Sequence, residues 1–377
     1  MLDVVAPALL TVSLGAHVAS SVLAAVRCRA RPGSIPCEPG APAVTIVRPV
    51  CGVDAFDAYT LGTTFALDYP NLQLIFCCDR ESDPAALLVR RLMRAHPHVA
   101  AELLIGRDPR TGNPKLDNLL KSWPRVATDW VIFADSNVEM PRDYVQRLLA
   151  AWQPGTGVLC APPIGDRPVD FAGAIECAFL NAYQARWQYA SDTLGFGFAQ
   201  GKTMLFRRRD LDAAGGLVAL GEEVAEDAAA TKVVRRMGLR AQLVDRPFRQ
   251  PLGPRGLRQV WNRQARWARL RRMTFPLLFA TEILTSGLLP LACAALVADD
   301  LGVSPIVAML GTGTLWYGCE ALLARIAGWP SGWRHAAAAI ARELMLPALW
   351  LQAWFINSFE WRGNEISAEE LVSQSSP

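Results

Sequence analysis

The chain has 377 residues, more than one hydrophobic core usually holds, so two or more structural units are expected. Hydrophobic residues make up 51% and charged residues 19%, which indicates a lean towards membrane character, whereas the net charge of +3 excludes little. Four unclustered histidines and nine cysteines without a CxxC pair argue against a zinc site and favour a reducing compartment.

The N-terminal segment predicts a membrane anchor at residues 1–27. Residues 4–26 contain no Lys, Arg, Asp or Glu, and only His17 interrupts their apolar run. The run is just long enough to span a bilayer. Three arginines follow at once: Arg27, Arg29 and Arg31. The positive-inside rule therefore places the next segment in the cytosol. A cleaved signal peptide is the alternative, but its charges should precede the apolar run.

After a proline-rich linker at residues 28–42, the pattern alternates between strands and helices. Strands are predicted at 43–50, 72–79, 101–107, 130–135 and 157–163, and helices at 54–67, 84–95, 113–123 and 141–152. This alternation predicts an α/β fold with a mostly parallel central sheet that is covered on both faces. Ligands bind such sheets beyond the carboxyl ends of the strands.

Two of the predicted strands end on an aspartate, Asp79 and Asp135. If the sheet is parallel, both carboxylates lie at the same edge. No GxxxxGK[ST] is present and no GxGxxG follows the first strand, so a P-loop and a Rossmann site are poorly supported. Carboxylate oxygens suit Mg²⁺ or Mn²⁺ that carries a substrate's phosphates. At this point the alternative, in which Asp135 only caps the turn before Pro141, stays open.

Three later segments carry further signals. A helix is predicted to follow Glu226 and Asp227 and to stop near Gly238. Residues 246–281 contain no acid but many arginines and two tryptophans, which indicates an anion site or a membrane-surface helix. A nucleic-acid patch is the alternative, but the apolar segments that follow favour the membrane surface. The glycine-rich residues 195–206 predict a turn that leads into a strand.

The C-terminal region contains three apolar stretches, at about residues 277–297, 303–324 and 336–356. Each carries ionisable side chains: Glu282, Glu320, and the pair Arg342 and Glu343. Charges at membrane depth usually face protein or water, so re-entrant or interfacial segments are part of the expectation. A buried soluble helical bundle is the alternative, but the three lengths favour membrane helices at 273–360, followed by a polar tail at 361–377.

Taken in order, Asp79, Asp135, Asp227 and the segment RQARW at 263–267 resemble the D, D, D, (Q/R)xxRW signature of GT-A glycosyltransferases related to family 2. The segments FALDYPNLQLIFCCD, NPKLDNLL, ADSN, AEDAA and RQARWARLR resemble the family-21 ceramide glucosyltransferases most. The resemblance covers nearly the whole chain. It implies a cytosolic GT-A catalytic domain at residues 43–272 that ends in a basic interfacial helix.

The resemblance also implies roles for individual residues. Asp79 would hold the uracil or ribose of the donor, and Lys115 would lie near the donor. Asp135 would bind Mg²⁺ or Mn²⁺ on the UDP diphosphate, and Asp227 would be the catalytic base. Three residues would bind the diphosphate and shape the acceptor side: Arg263, Arg266 and Trp267. Asn137 stands where the common DxD motif has its second acid, so we assign the metal to Asp135, with Asn137 acting through water or not at all.

The function that this resemblance implies is inverting transfer of glucose from UDP-glucose to the primary hydroxyl of a membrane lipid, with ceramide as the first choice. Diacylglycerol or a hopanoid lipid as acceptor, with glucose or galactose as sugar, is the alternative. A processive polysaccharide synthase and a non-catalytic membrane scaffold are the other classes considered. The expected protein is a multi-pass membrane protein, of the inner membrane in a bacterium, with no nucleic-acid partner.

Overall fold

The computed structural model describes residues 2–30, 33–356, 358–361 and 364–367. Its strands are β1 Val44–Val50, β2 Leu72–Cys78, β3 Ala101–Ile105, β4 Trp130–Ala134, β5 Thr156–Cys160, β6 Ile164–Pro168, β7 Thr203–Arg207, β8 Arg240–Leu243, β9 Arg249–Gly253, β10 Ser358–Trp361 and β11 Asn364–Ser367. Arg31 and most of the predicted polar tail, residues 368–377, lie outside the described residues.

The α-helices are α1 Leu2–Cys28, α2 Asp57–Thr64, α3 Pro84–Ala95, α4 Pro114–Leu120, α5 Tyr144–Ala151, α6 Phe171–Ala178, α7 Arg186–Thr193, α8 Arg208–Ala213, α9 Glu226–Arg236, α10 Leu257–Thr274, α11 Pro276–Glu282, α12 Leu288–Leu296, α13 Pro305–Ala327 and α14 Trp333–Phe355. A π-helix covers Phe179–Ala185, and short 3₁₀ helices cover Trp123–Arg125, Leu217–Gly221 and Ile283–Thr285. None of the nine cysteines, which all lie within the described residues, forms a disulfide.

The chain divides into two compact units, which we call the sheet unit and the helical unit. Within the described residues, the sheet unit contains residues 33–164 and 194–253. The helical unit contains residues 2–30, 165–193 and the described residues from 254 onwards. The five-segment division that the sequence predicts stays a prediction.

The centre of the sheet unit is a seven-stranded sheet in the order β3-β2-β1-β4-β7-β5-β8. β1 pairs in parallel with β2 and with β4, and β2 pairs in parallel with β3. β7 runs antiparallel between β4 and β5, while β5 and β8 are parallel. The predicted α/β fold with a mostly parallel sheet is therefore confirmed, with one reversed strand inside it.

Both faces of the sheet are covered. Val44 and Ile46 point to one face of the sheet and Val47 and Ile75 to the other, and all four are buried, at 0% exposed. Successive side chains of a strand point to opposite faces, and here both faces are buried. Both sets of side chains are therefore apolar, so the sequence shows near-continuous apolar runs instead of an alternating pattern. The apolar core that includes Val44 and Ile46 also contains side chains from α2, α3 and α5.

Helix starts are fixed by caps that also organise the loops at the carboxyl edge of the sheet. Asp83 caps α3, because its side chain accepts a hydrogen bond from Ala85 N at 2.8 Å. The same carboxylate accepts Gly52 N at 2.9 Å, which ties the loop after β1 to this helix. Such a cap contributes about 1 kcal/mol, and Pro84 at the first helical position adds a preset φ.

The helical unit contains the apolar helices. α1 at Val4–Cys28 and α13 at Pro305–Ala327 are long and apolar enough to cross a membrane. The helices at Pro276–Thr285 and Leu288–Leu296 pass the same test only as a pair, with a 52° bend between them. The first predicted C-terminal stretch is thus a broken segment, and the second corresponds to the continuous helix α13. The third corresponds to the continuous helix α14, which is not apolar enough to pass the same test, so its prediction as a membrane helix is not confirmed.

Glu320 of α13 and the pair Arg342 and Glu343 of α14 face protein, as predicted for these three residues. Arg342 is fully buried and donates to Glu320 Oε1 at 2.9 Å and to Glu343 Oε1 at 2.5 Å. The other oxygen of Glu343 accepts Ser286 Oγ and Gly287 N, both at 2.8 Å. These bonds offset part of the cost of burying the charges.

Candidate active site

The carboxyl edge of the sheet brings together the loops that carry the predicted acidic residues. Asp79 follows β2 and Asp135 follows β4, and both strands are parallel partners of β1. The two aspartates therefore leave the sheet at the same edge, as predicted. Asp79 is half-buried. Burial lowers the pKa of the neighbouring Lys121, and the negative charge of Asp79 opposes this shift only in part.

The backbone around Asp135 is held by a buried arginine that the sequence analysis did not single out. Arg48 in β1 donates from one terminal nitrogen to the carbonyls of Asp135 at 2.6 Å, Ser136 at 2.9 Å and Val138 at 3.0 Å. Its other terminal nitrogen donates to the carbonyl of Thr60 at 2.9 Å. Burial lowers the pKa of Arg48 to about 10, so the guanidinium stays charged at neutral pH.

The Asp135 carboxylate lies between two lysines. Lys115 Nζ is 2.6 Å from Oδ1, and Lys202 Nζ is 2.8 Å from Oδ2. Burial by itself would raise the pKa of Asp135, but the two ammonium groups outweigh burial and hold it well below its usual range. Asp135 is therefore a permanent carboxylate at this edge of the sheet.

Lys115 connects Asp135 to the start of α9. Its Nζ is 2.5 Å from Glu226 Oε1 and donates to the carbonyl of Gly201 at 3.1 Å. Burial would lower the pKa of Lys115, but Asp135 and Glu226 raise it above its usual range. Asn113 caps α4 and so places Lys115 in the first turn of that helix, while its amide donates to Glu226 Oε2 at 2.9 Å.

Asp227 lies next to Glu226 at the start of α9, and its environment differs from that of Asp135. Its carboxylate accepts Gly201 N at 3.0 Å and Ala228 N at 2.8 Å. Burial and the neighbouring charge of Glu226 raise the pKa of Asp227 to about 6, against these two hydrogen bonds and Lys115. A carboxylate with such a pKa is suited to accept a proton near neutral pH.

Gly201 permits this close arrangement. A Cβ atom at position 201 would lie 2.9 Å from Glu226 Oε1, 3.4 Å from Asp227 Oδ2 and 3.5 Å from Lys115 Nζ. A larger residue at position 201 would therefore displace the Glu226 carboxylate, whereas the distances to Asp227 and Lys115 are ordinary contacts. Gly201 and Lys202 belong to the predicted turn at 195–206, which does lead into a strand, β7.

The oxygen ligands fit a divalent cation that is shared with a phosphorylated substrate. Within the described ranges, no group of three or more His, Cys, Asp or Glu side chains is arranged to hold a metal by itself. The Lys202 ammonium, however, lies 2.8 Å from an oxygen of Asp135 and 3.2 Å from Asn137 Oδ1. These two oxygens already stabilise a positive charge, and Mg²⁺ commonly takes one or two protein ligands plus substrate phosphates.

The arginine–tryptophan motif belongs to the helical unit. Arg263, Arg266 and Trp267 lie in α10, at spacings of three and four residues that place them on one side of the helix. Arg263 donates to Glu176, whose carboxyl group is 1% exposed, and Arg255 lies 3.5 Å from the same group. The structure thus gives Arg263 an acidic partner within its own unit.

Four residues of the sheet unit were missed by the sequence analysis: Arg48, Asn113, Glu226 and Lys202. Glu226 looked like an ordinary acid in the first turn of a helix. Asn113 precedes Pro114, which is a recognisable capping signal. Nothing in the sequence near Arg48 or Lys202 indicates that either side chain reaches the Asp135 loop.

Comparison with solved structures identifies the class of fold. A mannosyltransferase from Pyrobaculum calidifontis, solved in complex with GDP-Man and Mn²⁺, matches with a TM-score of 0.52 and 20% identity. The match covers 91% of this chain and 99% of that one. The protein therefore has the fold of GT-A glycosyltransferases.

The sequence model described as Glycosyl transferase family 21 matches residues 10–371, and the chain belongs to this family. The chain is 28% identical over 259 residues to ceramide glucosyltransferase 1 of Caenorhabditis elegans. The aligned residues make up 67% of this chain and 55% of that relative. It is 24% identical over 336 residues to ceramide glucosyltransferase 3 of the same organism, 86% of this chain and 72% of the relative. The chain thus spans little more than half the length of the first relative.

Proposed function

We propose that the protein is an inverting glycosyltransferase that moves glucose from UDP-glucose to the primary hydroxyl of a membrane lipid, with ceramide as the preferred acceptor. Two relatives named ceramide glucosyltransferase and membership of family 21 support this proposal. The observation that carries it is the lysine-linked acidic cluster, in which a strongly ionised Asp135 and a readily protonated Asp227 serve different tasks.

The donor binds, in this proposal, at the carboxyl edge of the sheet. Asp79 receives the uracil or ribose, and Asp135 holds a divalent cation, Mg²⁺ or Mn²⁺. When bound, that cation stabilises the negative charge that develops on the leaving UDP. Lys115 and Lys202 lie against the same carboxylate, and their ammonium groups add positive charge for the phosphates.

Asp227 acts as the general base in the proposed transfer step. Its carboxylate accepts the proton of the acceptor hydroxyl while the hydroxyl oxygen bonds to the anomeric carbon. The bond between that carbon and the UDP oxygen breaks, and UDP leaves with the bonding electron pair. A single displacement on a UDP-α-sugar gives a β-glycoside. Gly201 N and Ala228 N hold the carboxylate in place.

The helical unit is proposed to serve the lipid side of the reaction. α1 and α13 would anchor the protein in the membrane, with Arg27 at the end of α1 on the cytosolic side. Arg263, Arg266 and Trp267 are proposed, from the family resemblance, to bind the diphosphate and shape the acceptor side. Because Arg263 has Glu176 as a partner, its substitution tests whether it also acts in catalysis.

The test is a transfer assay with purified protein in detergent or nanodiscs. UDP-glucose and UDP-galactose are each offered with ceramide, diacylglycerol and a hopanoid alcohol, with and without EDTA. We expect β-glucosylceramide, and we expect its formation to stop with EDTA and resume with added Mn²⁺ or Mg²⁺. Transfer of glucose to another lipid would overturn the assignment of ceramide as the acceptor. Formation of a long glucan would overturn the proposal in favour of a polysaccharide synthase.

A matched pair of variants links the activity to the site. Asp227→Asn should lower kcat for transfer by about 10²–10⁴-fold yet retain UDP binding, because it removes the base without removing the donor ligands. Asp68→Asn is the control, since the Asp68 side chain is 65% exposed and pairs only weakly with Arg142 at 3.6 Å. Equal activity of the two variants would overturn the assignment of the base.

A further inference from the structure

Two large apolar side chains are exposed at the start of the loop that leads to the acidic cluster. Leu194 is 66% exposed and Phe196 is 70% exposed. Gly195 between them has a φ of +87°, which glycine adopts without strain, so the chain turns sharply at this point. We call residues 194–196 the apolar tip. Single exposed apolar residues are common on protein surfaces, so the surroundings of the tip decide what it contacts.

The loop that follows the apolar tip is fixed to α9, the helix that carries the proposed base. The carbonyl of Gly197 accepts a terminal nitrogen of Arg235 at 2.9 Å, and Ala199 N donates to Thr231 Oγ1 at 2.8 Å. Further along the loop, a backbone N–H donates to Asp227 at 3.0 Å. Because the loop is held at these three points, the position of the tip is linked to that of the acidic cluster.

The residue before the apolar tip contacts the end of a proposed membrane span. Arg27, in the last turn of α1, donates to Asp192 Oδ2 at 2.8 Å and to Thr193 Oγ1 at 3.2 Å. Leu194 directly follows Thr193 in the sequence, and three residues of fully extended chain reach at most about 11 Å. By chain length alone, Phe196 therefore lies within about 11 Å of the residue that Arg27 contacts.

Two features of the helical unit indicate a membrane boundary at this end of α1. The two helices that are each long and apolar enough to cross a membrane, α1 and α13, end together, because Ala30 N donates to the carbonyl of Ile326 at 3.0 Å. Trp333, a few residues after α13, is exposed, and the guanidinium of Arg334 lies 5.6 Å from the centre of its ring. Tryptophan is enriched at membrane–water interfaces, and arginine on the cytosolic side of membrane spans.

We propose that Leu194 and Phe196 insert into the interfacial layer of the membrane, at the level of the cytosolic end of α1. Apolar side chains gain from entering this layer because part of their surface leaves water. A second copy of the chain does not fit as the partner, since a stable protein interface buries about 800 Å² on each side, far more than two side chains supply.

Insertion of the apolar tip would hold the loop, and with it Asp227, at the depth of the lipid headgroups. An acceptor hydroxyl at the membrane surface could then reach the base while its hydrocarbon chains stay in the bilayer. This role in the reaction rests on the proposed function. The insertion itself requires only that α1 spans the membrane.

Insertion is measured on the full-length protein in phosphatidylcholine nanodiscs without nucleotide. An environment-sensitive fluorescent amino acid replaces Phe196 in one sample and Leu87 in another. Leu87 on α3 is the matched control, because it belongs to the same unit and is 62% exposed. We expect brominated phosphatidylcholine to quench the probe at position 196 several times more than the probe at position 87. Equal quenching overturns the proposal, as does a probe at 196 that is shielded from water but not quenched, since protein then covers it.

The role in the reaction is tested by combining Leu194→Ser with Phe196→Ser and comparing this double variant with Leu87→Ser. We expect the KM for the lipid acceptor in nanodiscs to rise about tenfold in the double variant, with kcat and UDP affinity unchanged, and to stay at the wild-type value in the control. The thermal unfolding midpoint is measured in parallel to verify folding. An unchanged KM in the folded double variant overturns this role.

The two measurements separate the apolar tip from the proposed function. If brominated lipid quenches the probe at position 196 but no sugar is transferred to lipid, the proposed function fails and the insertion stands. If sugar is transferred without quenching at position 196, the insertion fails and the proposed function stands.

Discussion

The neighbouring Glu226 carboxylate makes the proposed base sensitive to one uncharged substitution, Glu226→Gln. Burial is the largest reason why the pKa of Asp227 rises to about 6, and the negative charge of Glu226 is the second. The substitution leaves burial in place and removes the charge. It also removes one acidic partner of Lys115, so the Lys115 ammonium group acts more strongly on Asp135 and Asp227. Both effects lower the pKa of Asp227, so we expect the acid limb of the pH–activity profile to move to lower pH.

The size of the effect follows from the pKa itself. Only the carboxylate form of Asp227 accepts a proton, so kcat/KM of the wild type should fall about tenfold for each pH unit below about 6. At pH 5 the wild type should keep about one-tenth of its plateau value, and Glu226→Gln should keep a clearly larger share. Asp135 does not contribute to this limb, because its pKa lies well below its usual range.

The assay follows transfer from UDP-glucose to the accepted lipid between about pH 4.5 and about pH 8.5, with UDP affinity measured at each pH to separate binding from chemistry. Asp227→Asn should lower kcat by about 10²–10⁴-fold, and Asp68→Asn should reproduce the wild-type profile. The explanation is refuted if the acid limb of Glu226→Gln coincides with that of the wild type, or if Asp227→Asn retains its plateau activity.

Two further substitutions test the loop that carries Asp135. Arg48→Met should destabilise the sheet unit by roughly 3–5 kcal/mol, because three loop carbonyls lose a charged donor, and should lower the thermal unfolding midpoint of the purified protein. An unchanged midpoint would contradict this role. Lys202→Met should strengthen Mn²⁺ binding without nucleotide roughly fivefold, as titration calorimetry can measure, because Asp135 loses a competing ammonium group. Weaker or unchanged Mn²⁺ binding would count against Lys202 as the competitor.

The local elements of the sheet unit were predictable because their signals are short-range. α3 begins at Pro84 and ends at Ala95, as the sequence predicts, since Asp83 and Pro84 form a complete start signal. Family motifs located Asp79, Asp135 and Asp227. The position of β7 between β4 and β5 was not predictable, because its partners are fixed by antiparallel pairing with strands about 45–75 residues earlier in the chain.

The missed features depend on contacts between distant segments. Arg48 reads as a polar interruption of a strand, and only the fold shows that its guanidinium meets a loop 87–90 residues later. The break between α11 and α12 is hidden in a hydropathy profile, because Ser286 and Gly287 receive their partner from Glu343, more than 50 residues further on. Lys202 follows a glycine-rich turn, where composition predicts flexibility and not a charged contact.

The pairing of Arg342 with Glu320 and Glu343 has a consequence for biogenesis. A lone guanidinium on α14 would be costly to pass into lipid, and so would the lone carboxylate of Glu320 on α13. Of the two helices only α13 is long and apolar enough to cross a membrane. Because few residues join it to α14, the proposed insertion of α13 can take Glu320 along with Arg342, as a hairpin whose charges are already neutralised. Loss of Glu320 would then act during synthesis, as failed insertion and degradation of the nascent chain.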